Sequence, residues 1–239
     1  MANNPVPDGP ATSTAQRGIA LEAVSVIRDG HRILSDVSVG LDSARIAVIG
    51  ANGSGKSTFA RLLDGLVEPT SGAVHVHGFD VRRHRAEIRR RVGFVFTDPQ
   101  AQILMPTPAE DLAFSLRGRP RDEVGARVAA MLDEHGLAQR ADAPASALSG
   151  GQKQLLALAS VLITDPALII ADEPTTLLDL RNARRIGDLL LSQAAQVVLV
   201  THDLELAARC DAAVLFDGGG IAAVGEADDV VAHYRRLCG

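Results

Sequence analysis

Tryptophan is absent from this chain of 239 residues, tyrosine occurs once, and aromatic residues make up only 3% of it. Base stacking, the usual grip on single-stranded nucleic acid, therefore has little to work with. Positive charge is also scarce: 24 lysines and arginines stand against 29 aspartates and glutamates, a net charge of -5. That balance implies no basic face, and nucleic acid is not expected among the partners. Two cysteines, Cys210 and Cys238, make no disulfide framework and fit a reducing compartment. No apolar run approaches bilayer-spanning length. Residues 1–18 are rich in Asn, Pro, Thr and Ser, lack the basic start and apolar core of a signal peptide, and read as a disordered tail. The chain alone is thus expected to be soluble, with any membrane role supplied by a partner.

What is present is apolar material, 46% of the residues, enough for a sizeable core. One stretch organises the rest: Gly50-Ala51-Asn52-Gly53-Ser54-Gly55-Lys56-Ser57-Thr58. It matches the phosphate-binding loop pattern GxxxxGK followed by Ser or Thr. The apolar run Arg45-Ile46-Ala47-Val48-Ile49 before it reads as a buried strand, and Phe59 to Asp64 after it has helical spacing. Glycines in that context let the backbone curl until several N–H groups point into one concavity, and the helix start favours an anion. Lys56 is placed to reach the β- and γ-phosphates of a nucleotide, and Ser57 to ligate Mg²⁺. A glycine-rich turn matching by chance is the competing explanation.

Along the chain, Ile19 to Leu41 suggests two or three strands with a turn at Asp29-Gly30. Ala73-Val74-His75-Val76-His77 alternates, so the histidines are expected as solvated side chains on one strand face rather than as metal ligands. The arginine run from Arg82 to Arg91 reads as a solvated helix face, with phosphate or lipid headgroups as the alternative. After the strand Val92 to Phe96 the residues Thr97 to Pro108 form a loop, followed by helices near Ala109–Leu116 and Asp122–His135. Leu148-Ser149-Gly150-Gly151-Gln152 then opens a long helix, a second glycine pair at a helix start. The apolar strand Ala167 to Ala171 ends in Asp172 and Glu173. In phosphate-loop enzymes the acid ending such a strand holds Mg²⁺, a role Asp172 fits, while Glu173 is free to orient and deprotonate water; two acids capping a turn is the plainer explanation. A further strand ends in Thr201-His202-Asp203, which directs His202 toward the same place. Strands alternating with helices imply an α/β fold with a mostly parallel sheet covered on both faces.

Together these residues resemble the ATP-binding cassette (ABC) ATPases. The resemblance rests on 50–57, 148–152, 170–173, Leu178-Asp179 and His202, in the family's order. It implies a phosphate-loop NTPase core at residues 19–239, an N-terminal antiparallel β subdomain and a helical subdomain inserted at about 98–164. It also implies ATP and Mg²⁺ as ligands, Glu173 as catalytic base, His202 on the γ-phosphate, and Ser57 and Asp172 on the metal. The chain would pair head-to-tail with itself or a homologous ATPase, so that Ser149, Gly150, Gly151 and Gln152 of one subunit face the nucleotide of the other, with Asp179 coupling the two sites.

Residues 98–107 and 110–114 are similar to the ATPases of energy-coupling-factor importers of vitamins, cobalt or nickel. That likeness implies an integral-membrane coupling protein and a membrane protein that binds the substrate as partners, and a peripheral place on the cytoplasmic face of the cell membrane. Thr97-Asp98-Pro99 with residues 177–182 resembles the biotin-importer branch. Another ABC importer or exporter, or a soluble ABC ATPase without a transport role, are the other readings. Three positions depart from the family pattern. Thr97 stands where a glutamine is usual, Leu177 where a small residue is usual, and no aromatic lies near Ile27-Arg28 to stack on adenine, leaving Arg28 or His31 for that role.

Overall fold

The computed structural model describes residues 18–238, so the expected tail lies, but for Gly18, outside the described residues. Strands β1 (Ile19–Arg28) and β2 (His31–Leu41) form a hairpin closed by Asp29 and Gly30, whose φ angles of 51° and 76° suit a two-residue turn of the mirror-image type. β3 (Arg45–Gly50) leads through a glycine-rich loop into α1 (Lys56–Leu63). β4 (Ser71–Val76), β5 (Phe79–Asp80), α2 (Arg85–Arg91) and β6 (Val92–Val95) follow. Three helices then come in succession: α3 (Pro108–Ser115), α4 (Arg121–Glu134) and α5 (Gly150–Leu162). The chain closes with β7 (Leu168–Asp172), α6 (Leu180–Leu191), β8 (Gln196–Val200), α7 (Leu204–Ala207), β9 (Ala212–Asp217), β10 (Gly220–Glu226) and α8 (Ala227–Cys238).

Two sheets result. The order β2-β1-β4-β5 is antiparallel throughout, and the order β10-β9-β3-β8-β7-β6 is parallel except for β10. The parallel strands are buried on both faces, which is why they are continuously apolar. In β3 the side chains of Ile46 and Val48 join a core shared with Phe59, Leu62 and the antiparallel sheet. Ala47 and Ile49 point the other way, into a core shared with α3 to α8. Strand periodicity of two thus divides one short run between two layers.

One expectation needs correction. His77 is not a solvated strand residue: it leaves the ladder at φ 48°, and its Nε2 lies 2.8 Å from Gln196 Oε1. Gln196, buried at the start of β8, donates in turn to the Ser43 carbonyl, so His77 ties the two sheets together. The arginines from Arg82 to Arg91 are all exposed, as a solvated face requires, and several are pinned by surface contacts. Arg82 donates to the Pro69 carbonyl at 2.6 Å, Arg85 pairs with Glu68, and Arg91 pairs with Glu87 while lying over the Phe79 ring.

Asp64, just past α1, offers a test of the charge balance. Burial pushes its carboxyl up to about 6, while the Leu66 N–H, Arg61 and Arg89 pull it back. The folded state therefore holds the proton more tightly than the unfolded chain, and stability falls as pH rises from the ordinary value through about 6. Asp64→Asn keeps an acceptor for Leu66 N, now 2.8 Å away, without the buried charge. The variant is expected to be more stable by about 1–2 kcal/mol near pH 8 and equal to the parent near about pH 3, after allowance for partial exposure. Urea unfolding at the two pH values checks it; an equal effect at both would remove titration as the cause.

Candidate functional site

Four strands end at one edge of the parallel sheet, and their following residues converge there. β3 ends in Gly50, β7 in Asp172, β8 runs into Thr201 and His202, and β6 leads to Thr97. The crevice outside the carboxyl ends of parallel strands is where ligands bind in such sheets.

The loop after β3 has φ angles of 139° at Gly50, 78° at Gly53 and 106° at Gly55, none comfortable for a residue with a β-carbon. A β-carbon on Gly50 would overlap the Phe216 carbonyl, and one on Gly55 would come within 2.5 Å of Leu34. β9, the strand beside β3, and β2 of the other sheet therefore hold the loop tightly. Within it, Ser54 Oγ is buried and, among the described residues, without a hydrogen-bond partner. Asn52 at its tip is exposed, and Thr58 is half-buried in α1. Lys56 is 6% exposed and donates to the Gly50 and Ala51 carbonyls, both at 2.8 Å. Burial lowers its ammonium from the ordinary value, against the opposing pull of Glu173 and Asp172.

Ser57 Oγ donates to Asp172 Oδ1 at 3.0 Å, bringing the metal-ligand candidates together across 115 residues of sequence. Asp172 is 2% exposed. Burial pushes its carboxyl up, and the Ser57 hydroxyl and Arg61 draw it back. Arg61 sits 3.8 Å from the other carboxylate oxygen. Thr97 donates through Oγ1 to the Asp172 carbonyl at 2.7 Å, so it braces the strand end instead of reaching outward as a glutamine would. Glu173 holds a left-handed φ of 54°. Its Oε2 lies 2.7 Å from His202 Nδ1 and accepts from Thr176 Oγ1 at 2.9 Å.

Ser149, Gly150, Gly151 and Gln152 form a different cluster. Ser149 caps α5, and a reciprocal pair of bonds with Gln152 completes a capping box. Asp179 caps α6, accepting from the backbone and the side chain of Asn182, and these bonds hold its carboxyl below the usual range. A β-carbon on Gly151 would stand 2.6 Å from the Asn182 amide, so the two caps are packed against each other. Among the described residues, no hydrogen bond or ion pair joins this cluster to the loop at 50–58.

Sequence reasoning missed Thr176 and Asn182. For Thr176 the available signal was its place three residues after Glu173 across Pro174, a spacing that turns its hydroxyl back. Asn182 gave only the ordinary signal of the third residue after a cap. The adenine question also sharpens. A cleft of about 240 Å³ beside α1 is lined by Ile27, Arg28, Ile33, Thr58 and Arg61 among others; Arg28 is in its wall and His31 is not.

The donor set fits a magnesium nucleotide. The positive-φ glycines curl the loop into the kind of cradle that holds phosphate, and the Ser54 hydroxyl within it is buried and without a partner among the described residues. Ser57 and Asp172 offer hard oxygens, whereas no group of three or more His, Cys, Asp or Glu capable of holding a metal by itself exists among the described residues. That is the pattern for Mg²⁺, which keeps waters and substrate phosphates as ligands.

The chain is also similar to known proteins. The chain is 40% identical to the biotin transport ATP-binding protein BioM of Rhizobium etli, over 92% of this chain and 98% of that one. It is 40% identical to the nickel import ATP-binding protein NikO of Rhodobacter capsulatus, over 81% and 82% of the two chains. In structure it resembles cbiO1 of Clostridium perfringens, described as part of the ABC transporter complex cbiONQ, with a TM-score of 0.82, 27% identity and 94% of each chain covered. No described helix is long and apolar enough to cross a membrane. The family model for ABC transporters matches residues 34–176, more than half of the 239, and the chain belongs to that family as an ATP-binding protein, an ATPase.

Proposed function

We propose that this ATPase energises an importer of the energy-coupling-factor type for a micronutrient, with biotin favoured over nickel or cobalt. The observation that carries the hydrolytic part is the convergence of Lys56, Ser57, Asp172, Glu173 and His202 on one sheet edge. Bound Mg²⁺ would neutralise phosphate charge, with Ser57 and Asp172 as its protein ligands. Gly50, Asn52, Gly53, Ser54, Gly55 and Thr58 would hold the phosphates, with Lys56 on the β- and γ-groups. Glu173 would take the proton of the attacking water and His202 would face the γ-phosphate. Ser149 to Gln152 would serve the nucleotide of a second subunit in a head-to-tail dimer, and Asp179 would relay between the two. Their separation from the loop at 50–58 within one chain supports that arrangement. The segment 98–164 would move as a helical subdomain within the ATPase domain.

The import reading is supported by the likeness to BioM, NikO and cbiO1 over most of the chain. It is also supported by two clefts on the segment after β6. One, of about 370 Å³, is lined by Gln100, Ile103, Met105, Pro106 and Lys153 among others. The second, of about 290 Å³, has Phe94, Gln102, Leu104 and Phe114 in its wall. Leu104 is 67% exposed there, a place for a membrane coupling protein to bury. Such docking would set the ATPase peripherally on the cytoplasmic face. The test is recovery of tagged chain from detergent-solubilised membranes with ATP and Mg²⁺. Co-recovery of a multi-span coupling protein and a small substrate binder is expected, and the binder's ligand identifies the cargo. Recovery of a different permease would favour another ABC transport system, and soluble partners alone would overturn transport.

A further inference from the structure

We propose that Thr176 is the positioning residue that fixes which oxygen of Glu173 is free to act, so that the turn after β7 aims its own carboxylate. The inference rests on the reading of Glu173 as the base. Glu173 enters the turn at a left-handed φ of 54°, with its N–H tied to the Val200 carbonyl at 2.9 Å. Pro174 follows, Thr175 is buried, and the chain folds back so that Thr176 lies over the side chain it follows by three residues. Its hydroxyl donates to Glu173 Oε2 at 2.9 Å, and His202 Nδ1 reaches the same oxygen at 2.7 Å. Both anchors use one oxygen. Oε1 takes no hydrogen bond among the described residues and is the oxygen left to accept a proton.

The two anchors are not equivalent. His202 arrives from the end of β8, and its side chain is 61% exposed. Thr176 belongs to the same short turn as Glu173, so its bond is set by local geometry. An ionised carboxylate can only accept, so in this arrangement His202 carries its proton on Nδ1. The carboxylate thus also selects the imidazole tautomer, and Thr176, by holding the carboxylate still, acts on both. The left-handed backbone at Glu173 is strained for a residue with a β-carbon, and such strain persists where the surroundings over-determine it. The Thr176 bond is part of that over-determination.

The test compares Thr176→Val, a near-isostere without the hydroxyl, with Thr176→Ser, which keeps it. Thr176 is exposed, so both variants are expected to fold, with at most a small drop in melting temperature for Thr176→Val. Thr176→Val is expected to lower kcat about 10-fold with KM for ATP within about twofold, and Thr176→Ser to restore most of it. A second readout needs no nucleotide: ¹⁵N spectra of the His202 ring in the free protein. The parent and Thr176→Ser should show the Nδ1–H form, and Thr176→Val a growing share of Nε2–H. Wild-type kcat in Thr176→Val, an unchanged ring spectrum, or failure of serine to rescue would each overturn the proposal. Glu173→Gln run alongside separates the two levels: if that variant hydrolyses ATP normally, it is the role of Glu173 that fails.

Discussion

Glu173→Gln is expected to bind ATP with nearly parental affinity and to hydrolyse it about 10²- to 10⁴-fold more slowly, the range over which a positioned general base contributes. The substitution preserves the length and shape of the side chain. Its amide oxygen can still accept from Thr176, so the turn after β7 need not reorganise. The groups that would hold phosphate and metal, from Gly50 to Ser57 and at Asp172, are untouched. What is lost is the capacity to accept a proton. Single-turnover hydrolysis measured beside equilibrium nucleotide binding separates the two quantities. A variant that hydrolyses within a few-fold of the parent would remove Glu173 from the chemistry and leave positioning by Lys56 and Mg²⁺ as the source of catalysis.

Lys56→Ala is expected to do the opposite, abolishing measurable binding. In the structure the ammonium is buried and gives two of its hydrogen bonds to the loop's own carbonyls, Gly50 and Ala51. It therefore both shapes the loop and supplies the positive charge that phosphate oxygens meet. Charge-assisted bonds are worth about 1.5–3 kcal/mol each, so losing one to the β- and one to the γ-phosphate would weaken binding by roughly 10²-fold or more. Removing Lys56 also leaves those two carbonyls short of a partner, at about 1–3 kcal/mol of stability. Titration calorimetry with Mg·ATP and a thermal melt of the free variant read the two effects separately. Tight binding retained in a folded variant would overturn the assignment of the loop.

Most of the strand and helix order was legible because the parallel strands are short apolar runs bounded by turn residues, and each ends in a chemically conspicuous group. The Gly-rich loop, the Asp172-Glu173 pair and His202 lie at strand ends in the sequence and at one sheet edge in space. The alternation at residues 73–77 misled at its last member, because His77 turns out of the strand to reach Gln196, a partner 119 residues away. Periodicity carries no information about such a distant bond. Thr97 was visible as a departure but its action was not: only the fold shows its hydroxyl on the Asp172 carbonyl. Asn182 was invisible for a related reason, since its contact with Gly151 depends on how α5 and α6 pack. Lys56, Ser57, Asp172, Glu173 and His202 are brought to one sheet edge, as their places at strand ends suggest; the braces behind them depend on packing that no local pattern encodes.

The ends of β3, β6, β7 and β8 meet at one edge, and the Ser57–Asp172 bond spans 115 residues. No short segment of the chain holds both Ser57 and Asp172, and the long loops that must close make this an intrinsically slow sheet to assemble. A ligand recognised only by the finished sheet acts on the folding equilibrium itself: at about 100 times its dissociation constant it adds about 2.7 kcal/mol to the native state. For this protein the energy currency of the cell is then also a folding ligand. When ATP runs low, the stabilisation it lends the folded chain is expected to fall together with the activity.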